Sequence, residues 1–469
     1  MGMSRGFILL LVFVFLISLV TLQPAIVRAT SLRTIIVPDN FPTIQAAIDN
    51  ASAGDTVFVR SGTYSQNISI SKSINLIGEN AQNTILTMPQ LYINPVFPGP
   101  PATYIININS NGVNIDNFTI NNPNPGGYGI GSNGNQNQII GSEIDSIGTG
   151  VVVSGSYQYI SQNHIANAFA GLQCSGSYNQ IIDNTFSNTG VTLSGSYNSI
   201  AGNFISYGTG ISISLENANT NLIYNNTVTK GSVYLQSSNS NIIWNNTISG
   251  GGSLLLGDAI RWPASNNFVS GNIIEGAVDW GILMGYGSYN IFYGNLIANN
   301  GGYGHDGYGL AVGGIDINVS NNLFYYNIFM NNSKNFGTNW QVIGSNSFDN
   351  GTVGNYWDDY SAKYPNATQT DSSGVENMPY LVYGNVTDNY PLTAPFDIYT
   401  ITIQLPTWIN SLPIPSPIPS FPIQNLVTNP TTSPTSNAAV PEFPSWKIPL
   451  SLIPMVFAGL LVYFKKHKR

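Results

Sequence analysis

One eight-residue pattern, Asn-x-apolar-x-x-Asn-x-apolar, occurs seven times over residues 179–329. Its first asparagines are Asn179, Asn198, Asn221, Asn241, Asn267, Asn290 and Asn322. Five residues later stand Asn184, Asn203, Asn226, Asn246, Asn272, Asn295 and Asn327. The third position is always apolar, from Ile181 to Phe324, and so is the eighth, from Phe186 to Phe329. The pattern returns every 19 to 26 residues, with one last interval of 32. A fixed period of this size predicts a solenoid. β-Branched columns without helical spacing predict three short strands per coil, stacked in parallel about 4.8 Å apart. Some twelve coils then make a rod of roughly 55–60 Å. Coils before residue 158 match the pattern only in part, and Gln158 stands in an asparagine position.

The residues before the second asparagines are Asp183, Gly202, Asn225, Asn245, Gly271, Gly294 and Tyr326. Six of these seven tolerate positive φ, so a sharp turn is expected there. Stacked turns align Asn184, Asn203, Asn226, Asn246, Asn272, Asn295 and Asn327 into a structural ladder in which each amide bonds to the next coil. Near the start, residues 35–37, 56–59, 68–70 and 74–78 read as strands. Residues 43–51 read as an amphipathic helix with Thr43 as N-cap and Ile44, Ala47 and Ile48 on one face. A helix placed there would cover the open end of the solenoid.

Charged residues make up only 8% of the 469, and the net charge is −8. That balance speaks against nucleic-acid binding. Cys174 is the one cysteine, so no intramolecular disulfide can form. Arg5, the apolar run 7–22 and the small residues around Val27 and Ala29 read as a secretory signal peptide, 1–29. Residues 398–440 turn to Pro, Ser, Thr and Asn, an extended spacer. An apolar run at 448–464 precedes Lys465-Lys466-His467-Lys468-Arg469. At 1.5 Å per residue it is just long enough to span a bilayer. The pattern therefore places the protein outside the cytoplasmic membrane, anchored at the cell surface by its C-terminus.

The candidate chemistry lies where the repeat breaks step. The 32-residue interval holds Gly301-Gly302-Tyr303-Gly304-His305-Asp306-Gly307-Tyr308, and insertions in repeat proteins gather on one, often ligand-binding, face. Neighbouring coils add Asp258, Arg261, Trp262, Asp279, Trp280 and Asp316. Counted back from the following pattern, Arg261, Met284 and Asp316 fall in one column. Aromatic rings stack on sugar C–H faces and carboxylates accept hydroxyl protons. The expected glycan-binding set is therefore Trp262, Asp279, Trp280, His305, Asp306, Tyr308 and Asp316. Hydrolysis would need two carboxylates flanking a glycosidic bond, drawn from Asp258, Asp279, Asp306 and Asp316. For a lyase, Arg261 is the local cation.

Two stretches resemble known families. PDNFPTIQAAIDNASAGDTVFVRSGTY at 38–64, followed by ISISKSINLIGEN, is similar to the opening of pectin-lyase-like right-handed parallel β-helices. GNYW-x-DY at 354–360, PY at 379–380 and D-x-YPL at 388–392 resemble the closing segment of NosD-type proteins and of carbohydrate-binding and sugar-hydrolase (CASH) repeats. The resemblance implies an all-β, right-handed parallel β-helix over 30–397, with a capping region at 35–64, regular coils at 158–329 and an end segment at 346–392. Beyond the helix, the composition of 398–440 predicts a disordered linker and the apolar run 448–464 a C-terminal transmembrane segment. NosD relatives are associated with copper, but Cys174, His164 and His305 are scattered along this chain. They often carry an acidic calcium-like loop, of which Asp371 and Glu376 remain as candidate ligands. No other cofactor is evident. PEFPSW at 441–446, the apolar run and the basic end resemble PEF-CTERM sorting signals of archaeal surface proteins. That likeness implies an archaeosortase partner and replacement of the apolar run by lipid. The sequence favours a glycan-binding or structural surface protein over a polysaccharide lyase or hydrolase, with copper handling third.

Overall fold

Each eight-residue pattern folds as two strands and the turn between them. In one coil, Gln180–Ile182 and Thr185–Ser187 flank Asp183, whose φ of 57° turns the chain. Every residue expected at that turn, from Asp183 to Tyr326, has positive φ. A third strand, here Val191–Leu193, completes the coil. A computed structural model describes residues 32–88 and 103–403, except 125, 147, 209, 259, 302–306, 314–318, 339–343 and 371. Among these residues the coils stack into three parallel sheets. The first holds thirteen strands, from Thr34–Val37 to Leu323–Tyr325, and the second thirteen, from Gly62–Ser65 to Tyr356–Trp357. The third holds twelve, from Ile68–Ile70 to Lys334–Thr338. Thirteen layers at about 4.8 Å make a stack of roughly 58 Å.

The apolar columns point inward. Ile181, Ile200, Ile223, Ile243, Val269 and Phe292 follow one another in register down the first sheet, and each is fully buried. Burying one such side chain contributes about 1.5–3 kcal/mol, so a column of identical layers holds the stack without any deep single core. The N-terminal helix forms at Ile44–Asn50. Thr43 Oγ1 accepts from the Ala46 N–H at 3.2 Å, and Ile44, Ala47 and Ile48 are buried, as the sequence pattern predicts. The helix packs against the strands Thr34–Val37, Thr56–Val59 and Ile68–Ile70.

The expected asparagine ladder is present and longer than the seven repeats. It runs from Asn163 through Asn184 to Asn327 and on to Asn355. Asn246 shows the pattern. Its Oδ1 accepts from the Asn226 backbone N–H at 3.0 Å and from Asn226 Nδ2 at 2.9 Å. Its own Nδ2 donates to Ile223 O, Trp244 O and Asn272 Oδ1. The first asparagines of the pattern form a second ladder, from Asn179 through Asn198 to Asn346. That ladder was not legible because the turn before it uses residues that seldom adopt positive φ: Tyr157, Tyr178, Tyr197 and Tyr289 lie at 59–60°. Stacking accommodates three of these rings: Tyr157, Tyr178 and Tyr197 lie face to face, 5.1 and 4.9 Å apart.

The C-terminal end is an aromatic stack closed by a carboxylate. Trp357 lies between Phe329 and Tyr380, 4.4 Å from each, so the aromatic residues of the end segment do form packed structure. Asp388, in the hairpin of Tyr380–Tyr383 and Val386–Asp388, takes the place of the next asparagine. Its Oδ2 accepts from the Asn355 N–H at 2.7 Å and from Trp357 Nε1 at 2.8 Å, and its Oδ1 from the Tyr390 N–H at 3.1 Å.

Two predictions follow from these contacts. Asn246→Ala removes one acceptor and one amide from a buried, fully bonded position. It should destabilise the solenoid by about 3–5 kcal/mol in chemical unfolding, whereas the exposed Asn121→Ala should cost under about 0.5 kcal/mol. Burial pushes the Asp388 carboxyl up to about 7, against the pull of its N–H donors. A raised folded pKa means the folded state holds this proton more tightly than the unfolded chain, where the group titrates near 3.9. The contribution is complete below about pH 4 and lost as pH rises through 7. The wild-type unfolding midpoint should fall across that window relative to Asp388→Asn.

Candidate functional site

The expected ligand-binding residues divide between two edges of the third sheet. On one edge, the strand Leu254–Leu256 runs into a loop at Gly257, whose φ is +67° and where a Cβ would sit 2.0 Å from Tyr286 O. Asp258 follows and clamps this loop. Its Oδ1 accepts from the backbone N–H groups of Ile260 at 3.0 Å and Trp262 at 2.9 Å, and from that of Arg261. Burial opposes ionisation of Asp258, but these donors and the Arg261 charge outweigh it and hold the carboxyl below its usual range. Asp258 is therefore an ionised turn clamp, unsuited to donate a proton as a general acid. Beyond it Arg261 is exposed and Trp262 is 43% exposed.

The other edge carries Asp279 and Trp280. Trp280 begins the strand Trp280–Met284 and stands in register with Tyr308, which in turn pairs with Lys334. The Lys334 ammonium lies 5.5 Å from the Tyr308 ring centre. The Asp279 carbonyl accepts the Tyr308 N–H at 2.8 Å, and the Asp279 side chain is half-buried. Gly301 and Gly307, which bracket residues 302–306 within the 32-residue interval, approach so closely that a Cβ on Gly307 would meet Gly301 Cα at 2.1 Å. His305, Asp306 and Asp316 lie outside the described residues, as does Asp371.

The expected column of Arg261 and Met284 is not formed. Met284 is an inward-facing, buried core residue in register with Leu256 and Val312, so Arg261 does not share its column. The loop after Leu256 differs in length from that after Met284, so counting back from the next pattern does not preserve register there. Of the expected carboxylate pair, Asp279 with Asp306 or Asp316, only Asp279 lies among the described residues, and Asp258 does not replace the missing partner. Asp279 precedes Trp280, whereas Asp258 follows Leu256, the partner of Met284. At least five strand steps separate Asp279 from Asp258, roughly 16 Å or more along the strand direction, beyond the 5–9.5 Å that glycosidase carboxylates span.

No three His, Cys, Asp or Glu side chains converge on a common point among the described residues. Cys174 is buried, accepts from Asn179 Nδ2 at 3.2 Å and has its thiol pushed up to about 12 by burial. It belongs to the packed interior and is not a thiolate ligand. Burial also raises the Glu376 carboxyl, the one described member of the calcium pair.

Pattern reasoning passed over a shallow trough of about 210 Å³ on the outer face of the third sheet. Gln173, Thr192, Ser194 and Glu216 line it together with Val152 and Ser175. Gln173, Thr192 and Ser214 occupy one outward column in register on successive coils. Ser214 Oγ donates to Glu216 Oε1 at 3.1 Å. The outward alternation of these polar residues was present in the sequence, but nothing there marked it as concave.

The family model described as a right handed beta helix region matches residues 128–260 and 230–356. The matched coils resemble a right-handed β-helix. No curated protein sequence matches the chain. Similar solved structures include the mannuronan C-5 epimerase AlgE6 A-module of Azotobacter vinelandii. Its identity is 15% and its TM-score 0.48, over 65% of this chain and 93% of that one. The polysaccharide lyase Pedsa3628 of Pseudopedobacter saltans gives 14% and 0.46 over 71% and 95%. The Dettilon tailspike protein gives 14% and 0.45 over 67% and 68%. Fold does not fix function, which has to be argued from this chain's own side chains.

The edge assignment yields a prediction. Asp258→Ala removes the acceptor of three backbone N–H groups and should release the 257–262 loop. Amide hydrogen exchange at Ile260, Arg261 and Trp262 should rise by about tenfold or more, with exchange at Trp280 and Tyr308 unchanged.

Proposed function

We propose that this protein is an exported, surface-held β-helix that binds a carbohydrate chain along the outer face of its third sheet. The observation that carries this reading is the trough of Gln173, Thr192, Ser194 and Glu216. Amide and hydroxyl groups both donate and accept hydrogen bonds, as sugar hydroxyls do, and a single carboxylate adds an acceptor without excluding neutral chains. Coils 4.8 Å apart repeat such groups along the rod, which suits an extended polymer better than a compact ligand. The exposed Trp262 offers a ring for stacking at the carboxyl edge of the same sheet.

The reading of export and anchoring rests on residues 1–29 and 441–469, which lie outside the described residues. Among the described residues no helix is long and apolar enough to cross a membrane. The PEF-type ending supports processing to a lipid anchor, in which case the mature mass lacks 448–464. The helix Ile44–Asn50 supports the role of an end cover for the first coil.

The test is a glycan array probed with residues 30–403. Gln173→Ala combined with Thr192→Ala should weaken binding of the captured glycan at least tenfold, while Trp280→Ala leaves it within about twofold. Undiminished binding by the double variant sinks the trough assignment. Release of new reducing ends or unsaturated products from the captured glycan would overturn the non-enzymatic reading.

A further inference from the structure

Three side chains on the outer face of the second sheet form a connected relay, on a different sheet from the trough. Glu143, on the strand Glu143–Ser146, is in direct register with His164, on His164–Ala166. Glu143 Oε2 lies 2.7 Å from His164 Nδ1. The other ring nitrogen, Nε2, lies 3.0 Å from Oγ of Ser187, on the next strand, Thr185–Ser187. Ser187 is in register with Ala166, and that small side chain leaves the diagonal open for the imidazole to reach across.

We propose that Glu143, His164 and Ser187 constitute a hydrolytic site for small carboxylic esters, with Ser187 as nucleophile. The ordering of the hydrogen bonds supports each role. A carboxylate on Nδ1 fixes the tautomer with the proton on that nitrogen, which leaves Nε2 with its lone pair toward the Ser187 hydroxyl. Ser187 Oγ attacks the ester carbonyl carbon and gives its proton to His164 Nε2. The tetrahedral adduct expels the alcohol, which takes that proton, and leaves an acyl-Ser187. Water, deprotonated by the same imidazole, then attacks the acyl carbon and releases the acid and free Ser187. Water is the only co-reactant, and the half-exposed side chains of Glu143 and His164 leave the site open to it.

The surroundings define the substrate further. Asn167 and Asn188 follow the strands of His164 and Ser187 at φ of 56° and 53°, and the Asn167 N–H donates to Ser187 O at 3.0 Å. Their exposed side-chain amides supply the donors available to a developing oxyanion, because the backbone N–H groups of these strands are committed to the sheet. Phe204, 45% exposed and in register with Thr185, stands two coils from His164 in the same outward column, about 10 Å away, and offers an apolar rest for the acyl or alcohol portion. Asp145, the other carboxylate of Glu143's strand, is aligned with Ala166 and not with the imidazole.

The test uses the whole protein with 4-nitrophenyl acetate and a fluorophosphonate probe. The expected result is probe attachment at Ser187, located by peptide mass spectrometry, and steady release of 4-nitrophenol. Ser187→Ala and His164→Gln should each lower hydrolysis at least a hundredfold and abolish labelling. Glu143→Gln should lower it about tenfold and displace the pH profile, which a purely structural contact would not do. All three positions are outward and half-exposed, so thermal melting monitored by circular dichroism should stay within a few degrees and show that the variants are folded. A folded Ser187→Ala variant that hydrolyses the ester at the wild-type rate, or a wild-type protein whose Ser187 is never labelled, overturns the proposal.

Discussion

The stack depends on how the turn between the first and second sheets satisfies its backbone. A residue at positive φ reverses the chain within one step, and the following N–H has no strand partner. The side-chain amide of the next coil's asparagine takes up that N–H and, through its own Nδ2, a carbonyl from the coil before. An unpaired N–H at such a depth would cost about 1–3 kcal/mol in every coil. Repeated from Asn163 to Asn355, the same bond fixes the distance between turns and therefore the register of all three sheets.

A ladder of this kind has an end problem, because its last amide faces no further coil. Asp388 resolves it. Arriving from a hairpin 33 residues beyond Asn355, its carboxylate accepts the final N–H and the indole of Trp357. That explains why an aspartate belongs to a closing segment otherwise made of aromatic residues. It also confines a titrating group to the one place where the repeat stops. The aromatic stack of Phe329, Trp357 and Tyr380 fills the cross-section that no coil covers.

A periodic scaffold separates stability from chemistry. Inward columns and turn amides carry the former, so outward positions are free to vary from coil to coil. Thus one rod presents a polar trough with a single carboxylate on its third sheet and a Glu–His–Ser relay on its second, neither of which disturbs the ladder. The loop at Asp258 illustrates the converse. A carboxylate that looks available in sequence is spent on three backbone donors, because an insertion has to satisfy its own N–H groups.

The architecture was legible in the sequence because every coil repeats the same local problem. Ile181 and Phe186 point inward, Asp183 turns, Asn184 bonds upward, and seven copies make the period plain. The capped helix at Ile44–Asn50 was equally local, and so readable. The arrangement of side chains between coils was not. Arg261 was assigned to the column of Met284 because counting cannot tell where a loop absorbs residues. His164 seemed isolated, since Glu143 and Ser187 lie 21 and 23 residues away in sequence. A residue's position along the strand comes from its own neighbourhood, whereas its neighbours across coils depend on the length of every intervening turn. The sequence alone therefore determined that the chain forms a β-solenoid and which faces are core. Only the tertiary structure decided which outward groups meet, because that depends on register summed over whole coils.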